Sequence, residues 1–368
     1  MSISYLKISG VRNLMAPELF PSSHINIISG KNGSGKTSIL EAIHFLSTTR
    51  SFRTHEIRHI LTQGQESALV FSKISFSQDN QSFPLGVERR LSGDVRVRYD
   101  GRTLDSAELA SLLPVQVLYS GTFGLLDGSP AVRRQFLDWG GFHADSQFIN
   151  LWRGFHRALK QRNSLLKYGK INHLEMQVWD REFIAFGKQL TEHRRAYIER
   201  LIPEFNRILS ILLENLTVEL KFYSGWDSRR SLEEVISDQA DREMQQGFTL
   251  AGPQRADLRF RCDGVNAAER LSRGQKKLVV SALRLAQGHV YRQYSDRSCI
   301  YLVDDLTSEL DEPHVQLFCD FLGQGDDQCF ITCVEPNNLT KFWSPETDLA
   351  LFHLEAGKLI AGSARSVQ

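Results

Sequence analysis

The chain has 368 residues, room for roughly two domains. Its 44 Lys and Arg against 43 Asp and Glu leave a formal charge of +1, which excludes a chain-wide positive field, so any nucleic-acid surface has to be a local patch. The five cysteines (Cys262, Cys299, Cys319, Cys329, Cys333) show no zinc-site spacing, and neither a signal sequence at Met1 to Lys7 nor a membrane-length apolar run is present, so the expectation is a soluble cytoplasmic protein with reduced core thiols and no membrane partner.

Leu6 and Ile8 alternate with Lys7 and Ser9, the pattern of a half-buried strand. In the turn that follows, Arg12-Asn13 either places a guanidinium on a phosphate or is a surface turn. Ile25 to Ile28 reads as a buried strand running into Gly30-Lys31-Asn32-Gly33-Ser34-Gly35-Lys36-Thr37, a P-loop without a mismatch. Its glycines let backbone N–H groups turn inward on a triphosphate, Lys36 reaches the β and γ oxygens, and the Thr37 hydroxyl ligates Mg²⁺. Ile39, Ile43 and Leu46 then recur at helical spacing, with His44 and Ser47 off that stripe. Arg50 and Arg53, just beyond this helix, are further phosphate candidates. Short alternating segments from Leu69 to Tyr99, broken at Asp79-Asn80, Ser92-Gly93-Asp94 and Asp100-Gly101, predict an antiparallel β region. Gln116, in an apolar strand, is either a metal- or water-contacting side chain or a satisfied edge-strand residue.

After Gly128-Ser129-Pro130 the character changes. Helices are predicted from Ala131 to Tyr168, His173 to Leu216 and Ser231 to Gln246. Ser129 and Pro130 suit a cap and first position, Gly169 a stop, and Pro203 should kink or split the second helix. Arg153, Arg157, Lys160 and Lys167 recur on one helical face, joined by Arg162 and Lys170, with no acid between Asp145 and Glu175. With Phe155 and Tyr168 nearby, and Arg194-Arg195 as an extension, the run is either a solvated face or a grip on DNA phosphates. Strands and helices alternate again from Gly252. The expected organisation is residues 1–127 as the first part of a nucleotide-binding lobe, 128–248 as an inserted helical lobe and 249–368 as the part that closes the nucleotide-binding lobe.

Leu271-Ser272-Arg273-Gly274-Gln275 opens an apolar-periodic stretch (Leu278, Ala282, Leu285), placing Ser272 and Gly274 at a helix N-terminus, where amides and dipole favour an anion. Downstream, the buried run Ile300 to Val303 ends in Asp304-Asp305. Asp304 is expected to hold Mg²⁺, directly or through water. P-loop, Ser-x-Gly-Gln and acidic strand in this order resemble ATPases of the ABC type. In those the signature element of one subunit closes on the γ-phosphate held by another, so Ser272, Gly274 and Gln275 become nucleotide contacts across an ATP-dependent homodimer. Asp305 takes the place of their water-orienting glutamate and, with Lys36, is the catalytic candidate; being one methylene shorter, it implies slow hydrolysis. Ser308-Glu309-Leu310-Asp311 has the spacing of the loop that crosses their dimer interface.

The chain resembles the RecF family of bacterial recombination mediators, relatives of SMC-type ATPases. The resemblance is carried by the P-loop, Arg-Ser-Phe-Arg-Thr at 50 to 54, Arg-Arg-Gln-Phe-Leu-Asp-Trp-Gly at 133 to 140, Gly-Pro-Gln-Arg-Ala-Asp-Leu at 252 to 258, Leu-Ser-Arg-Gly-Gln at 271 to 275 and Asp-Asp-Leu-Thr-Ser-Glu-Leu-Asp at 304 to 311. It implies an α/β fold: an ABC-type P-loop ATPase head with an antiparallel β region and an inserted helical lobe, without a long coiled coil. It also implies ATP and Mg²⁺ as cofactors, a weak DNA-dependent ATPase, and an ATP-dependent dimer on duplex DNA or at gap junctions that assists RecR and RecO in loading RecA during repair, replication restart and the SOS response. Gln254 departs from the family's histidine in the Gly-Pro-His-Arg block, and Tyr119-Ser120-Gly121 replaces its usual Pro-Glu. Arg133 and Arg134 are an alternative DNA surface. Two rival readings are the ATPase subunit of a transporter and a non-hydrolysing clamp that uses ATP as glue between heads.

Overall fold

The computed structural model describes residues 1–54, 56–76, 81–168 and 173–365. The chain divides into two compact units, Met1–Thr122 with Lys277–Gln368, and Phe123–Lys276.

In the first unit a six-stranded sheet runs in the order Lys358–Arg365, Leu349–Glu355, Ile25–Ser29, Gln328–Cys333, Ile300–Val303, Val115–Leu118. All its pairings are parallel except that of the hairpin Leu349–Glu355 with Lys358–Arg365. The uninterrupted apolar runs of Ile25–Ser29 and Ile300–Val303 are buried at every position, as strands of a parallel sheet covered on both faces must be. A second sheet is wholly antiparallel, in the order Glu18–Leu19, Ser2–Ser9, Ser67–Ser75, Ser82–Arg90, Val95–Tyr99, Arg102–Thr103. Asp100 and Gly101 both take positive φ at its last tight turn, the geometry a two-residue hairpin demands. The turn expected at Asp79-Asn80 lies outside the described residues. Helix Lys36–Thr48 is packed between apolar side chains of both sheets, Leu6, Val70 and Val87 of one and Leu302 and Phe330 of the other. Sandwiching explains why Ser47, off the apolar stripe, is buried as well.

The second unit is largely helical. One helix was expected from Ala131 to Tyr168, but the chain breaks it into Pro130–Ala144 and Phe148–Tyr168. The Asp145 carboxylate accepts the Gln147 N–H at 2.8 Å, a local turn that competes with helical continuation. Of the expected kink or split at Pro203 the split does not occur: His173–Leu212 runs unbroken through it. Pro203 and Glu199, whose carbonyl loses its helical donor, are both exposed, so water can replace the bond. Gly169 lies outside the described residues. Leu232–Gln246 begins with a reciprocal capping box of Ser231 and Glu234 and stops at Gly247, φ 74°. Residues 249–276, expected with the nucleotide-binding lobe, group with this unit because Asp257–Cys262 pairs antiparallel with Glu219–Tyr223. Phe148, Phe155, Phe183, Leu190 and Ile236 form its core. The five cysteines are free and buried. Among the described residues no His, Cys, Asp and Glu group suits a metal ion, and no helix is long and apolar enough to cross a membrane.

Candidate nucleotide site

Strand Ile25–Ser29 delivers the chain to Gly30 (φ 149°), Gly33 (φ 79°) and Gly35 (φ 109°), conformations that L side chains rarely adopt. At Gly30 a Cβ would stand 2.4 Å from the Leu354 carbonyl oxygen and 2.6 Å from Ser34 Oγ. Lys36 Nζ donates to the carbonyls of Gly30 (2.7 Å) and Lys31 (3.1 Å), which holds the cation over its own loop. From the far end of the chain, the turn after Leu349–Glu355 closes on the loop. Gly357 N–H donates to Ser34 O at 2.8 Å, and Gly357 O accepts Met15 N–H at 2.9 Å.

Asn13 braces the loop: its Nδ2 donates to Gly33 O at 3.1 Å and its Oδ1 accepts the Ser38 hydroxyl at 3.1 Å. Arg12 does not point at the loop as a free phosphate ligand. Its Nε and Nη2 each donate to the Glu41 carboxylate at 2.8 Å, and Glu41 is fully buried. Glu41 also accepts the Ser51 hydroxyl, and Ser51 Oγ accepts the N–H groups of Arg53 and Thr54. One buried carboxylate thus ties the P-loop helix to the Arg50 to Thr54 block. Tyr119 holds the same block by donating its hydroxyl to Phe52 O at 2.8 Å, so the departure from the family's Pro-Glu supplies a staple rather than an acid. The sequence signal for Glu41 was a lone acid inside the apolar run Ile39 to Ile43.

The two aspartates converge on the P-loop helix. Asp304 accepts the Thr37 hydroxyl at 2.9 and 3.1 Å and the Thr332 hydroxyl at 2.8 Å. Burial pushes the Asp304 carboxyl above its ordinary value; the Thr332 and Thr37 hydrogen bonds pull it back, the Asp305 charge raises it, and Arg53 lowers it. Asp305 sits in the left-handed region at φ 54°, strained for a residue other than glycine. Its N–H donates to Thr332 Oγ1 at 2.8 Å, so Thr332 bridges both acids. Asp305 Oδ1 and Ser34 Oγ are buried without a hydrogen-bond partner among the described residues, two polar atoms left for something outside the chain. Thr37 and Asp304 bring hard oxygens together, the donor chemistry that Mg²⁺ takes alongside water and phosphate. Gln116 takes no part: it donates to Gln287 Oε1 at 3.1 Å and accepts from Arg284 at 3.3 Å, the satisfied edge-strand residue of the two readings.

Elsewhere in the first unit, Leu306–Glu309 forms a single helical turn, and Asp311 caps helix Glu312–Gly323 by accepting His314 N–H at 3.2 Å.

Ser272, in the last residues of the second unit, caps helix Arg273–Ser295. Its Oγ accepts Gln275 N–H at 3.2 Å while Gln275 Oε1 accepts Ser272 N–H at 2.9 Å. Gly274 is exposed, and a Cβ there would find nothing within 4 Å. Arg153, Arg157, Lys160 and Lys167 are exposed on Phe148–Tyr168, with Arg157 3.8 Å from Glu182. Arg162 does not join them: it is 1% exposed and paired with Asp180 and the buried Glu243. Arg194, 2% exposed, pairs with Asp138 and donates to Pro253 O, so of the two only Arg195, 3.9 Å from Glu192, is at the surface. Arg133 is spent on Asp257 at 2.6 Å and Arg134 on Ala256 O at 2.9 Å, so neither offers the alternative DNA surface. Lys170 lies outside the described residues. Gln254, at the expected histidine, donates to Ala251 O at 3.0 Å.

A family model described as the RecF/RecN/SMC N terminal domain matches residues 2–356. The chain is 46% identical over 360 residues to the DNA replication and repair protein RecF of Pseudomonas syringae pv. tomato, and 47% identical to that of Pseudomonas syringae pv. syringae, covering 98% of both partners in each case. Among solved structures, the recombination mediator protein RecF–ATP of the RecFOR pathway superposes with a TM-score of 0.85 at 21% identity, over 99% of this chain and 98% of that one. An Smc head domain from Pyrococcus furiosus superposes with a TM-score of 0.59 at 15% identity, over 99% of this chain and 96% of that one. The fold is therefore that of the RecF and SMC ATPase heads.

Proposed function

The chain belongs to the RecF family of DNA replication and repair proteins, and we propose that it acts there as an ATP-operated DNA clamp: a monomer that binds Mg-ATP at the P-loop and dimerises on DNA around that nucleotide. Membership of this family sets aside the transporter subunit. The observation that carries the proposal is the cluster in which Thr332 joins Asp304, already bonded to Thr37, to the N–H of Asp305. Gly30 to Thr37 would cradle the phosphates and Lys36 would exchange loop carbonyls for β and γ oxygens. Thr37 and Asp304 would hold Mg²⁺, which supplies charge neutralisation between those phosphates. Asp305, whose Oδ1 has no hydrogen-bond partner among the described residues, would orient the attacking water. Ser272 and Gln275 cap, and Gly274 leaves open, a helix N-terminus whose amides would meet the γ-phosphate of a second copy.

The exposed row Arg153, Arg157, Lys160 and Lys167 is the proposed phosphate grip on duplex DNA. RecR and RecO are the proposed partners, following the RecFOR pathway in which a structurally similar protein is described, with RecA loading at gaps as the outcome. The strained backbone of Asp305 and its short side chain favour slow turnover, and in the limit a clamp that holds ATP without hydrolysing it.

Sedimentation with Mg-ATP, with and without a gapped duplex, alongside a turnover assay, tests both steps. A dimer that needs ATP and breaks up with hydrolysis is expected, and Lys36→Ala should remain monomeric. A sedimentation profile indifferent to ATP would remove the clamp; a dimer with no turnover would select the non-hydrolysing form.

A further inference from the structure

The outward face of the antiparallel sheet carries aromatic rings and cations in register. Lys7, Phe71, Gly86 and Arg98 lie side by side across four strands, and Tyr5 pairs with Lys73 in the neighbouring row. Tyr5 joins Phe71 at 6.1 Å and Phe20 at 5.3 Å between ring centroids, and Phe20 is 67% exposed. The solvent face of such a sheet is ordinarily polar, with apolar side chains turned to the core. Lys73, Arg96 and Arg98 are exposed and have no ion-pair partner among the described residues, whereas the acids on this face are already engaged: Glu18 by Lys7 and Tyr5, Glu88 by Arg90. Gly86 leaves a slot between Phe71 and Arg98 that its backbone does not require. Its φ is not positive, and a Cβ there would meet only Phe71 Cδ2 at 3.8 Å.

Rings for stacking, unpaired cations beside them and an open slot form the pattern by which sheet faces take unpaired bases together with their phosphates. Rows on one face repeat every second residue, about 7 Å, a distance at which successive bases can be engaged. A duplex keeps its base faces stacked inside and has nothing to offer these rings; a neutral protein surface would leave the three cations unpaired. We infer that this sheet face is a single-stranded DNA platform, with Phe71 and Tyr5 stacking bases and Lys73, Arg96 and Arg98 contacting phosphates. The inference rests on the reading that the protein works on DNA, and adds a second surface to the helical grip on duplex.

Fluorescence anisotropy of labelled oligo-dT and of a hairpin duplex, on the full chain, tests it. Phe71→Ala should weaken oligo-dT binding about ten-fold. Gly86→Val improves strand propensity, so folding should hold, yet it fills the slot and should weaken binding comparably. Arg96→Gln with Arg98→Gln should flatten the salt dependence by about 0.7 per charge. Duplex binding should be unchanged in all three. Undiminished oligo-dT affinity in folded Gly86→Val and in the Gln pair overturns the platform, as does an equal loss on duplex. Wild type that binds duplex but not oligo-dT also overturns it and leaves the clamp standing; wild type that binds neither removes the DNA reading itself.

Discussion

Thr332 is the side chain on which both aspartates depend, since its hydroxyl donates to Asp304 and accepts from the Asp305 amide. Thr332→Val keeps shape and β propensity while deleting both bonds. Asp304 retains Thr37, so ATP affinity should change little, but Asp305 loses the amide–hydroxyl bond that holds its strained turn, and turnover should fall about ten-fold, the upper end for one hydrogen bond between neutral groups. Equal turnover in the variant, read by phosphate release, would detach Thr332 from the chemistry. Glu41 tests stability instead. Glu41→Ala strands Arg12, whose side chain is 24% exposed, and should cost about 3 kcal/mol in urea unfolding, the low end for breaking a buried pair because Arg12 can still reach water. The P-loop and the acid pair were legible in sequence because their chemistry fixes residue types at fixed spacing. Glu41 and Thr332 were not, because each acts on a residue distant in the chain, and Arg12 was misjudged for the same reason: nothing local says that its guanidinium has a partner in the next helix.

Helical periodicity told more than composition did. Arg153, Arg157, Lys160 and Lys167 share a face, while Arg162, two positions beyond Lys160, is rotated about 200° away and therefore falls inward, where it is 1% exposed. Counting it with the stripe ignored that rotation. The break before Phe148 depended on one aspartate turning back on its own backbone, too local a preference to outweigh a long periodic run. At the signature helix, sequence and structure agree on a capped N-terminus, but a cap alone is an ordinary feature. Ser272→Asp separates the two roles. Aspartate caps as well as serine, so thermal stability should hold to within about 0.5 kcal/mol. Its charge would face the triphosphate of the partner copy, and the ATP-dependent dimer should be lost in sedimentation while ATP binding to the monomer survives. A dimer that persists would leave Ser272 as a cap and nothing more.

Two strands from the C-terminal end of the chain flank Ile25–Ser29, with Leu349–Glu355 on one side and Gln328–Cys333 on the other. That closure was legible because the P-loop and the acidic strand, far apart in sequence, carry residue types that belong together, and Asp304 does meet Thr37. The allegiance of residues 249–276 was not, since it rests on a pairing with Glu219–Tyr223 that alternation alone cannot assign. A formal charge of +1 on the whole molecule means that the proposed DNA affinity has to come from a few clustered cations, and the count can be measured. If Arg153, Arg157 and Lys160 each neutralise a phosphate, their joint replacement by glutamine should release fewer counterions and flatten the plot of log affinity against log salt by about 0.9 per contact on duplex DNA. Glutamine preserves length and helix propensity, so folding and ATP binding should survive, and the loss should be the same for every duplex sequence because phosphate contacts carry no base information. Salt titrations of both proteins with Mg-ATP decide it. Parallel slopes would return the stripe to an ordinary solvated face and move the duplex contact to another surface of the chain.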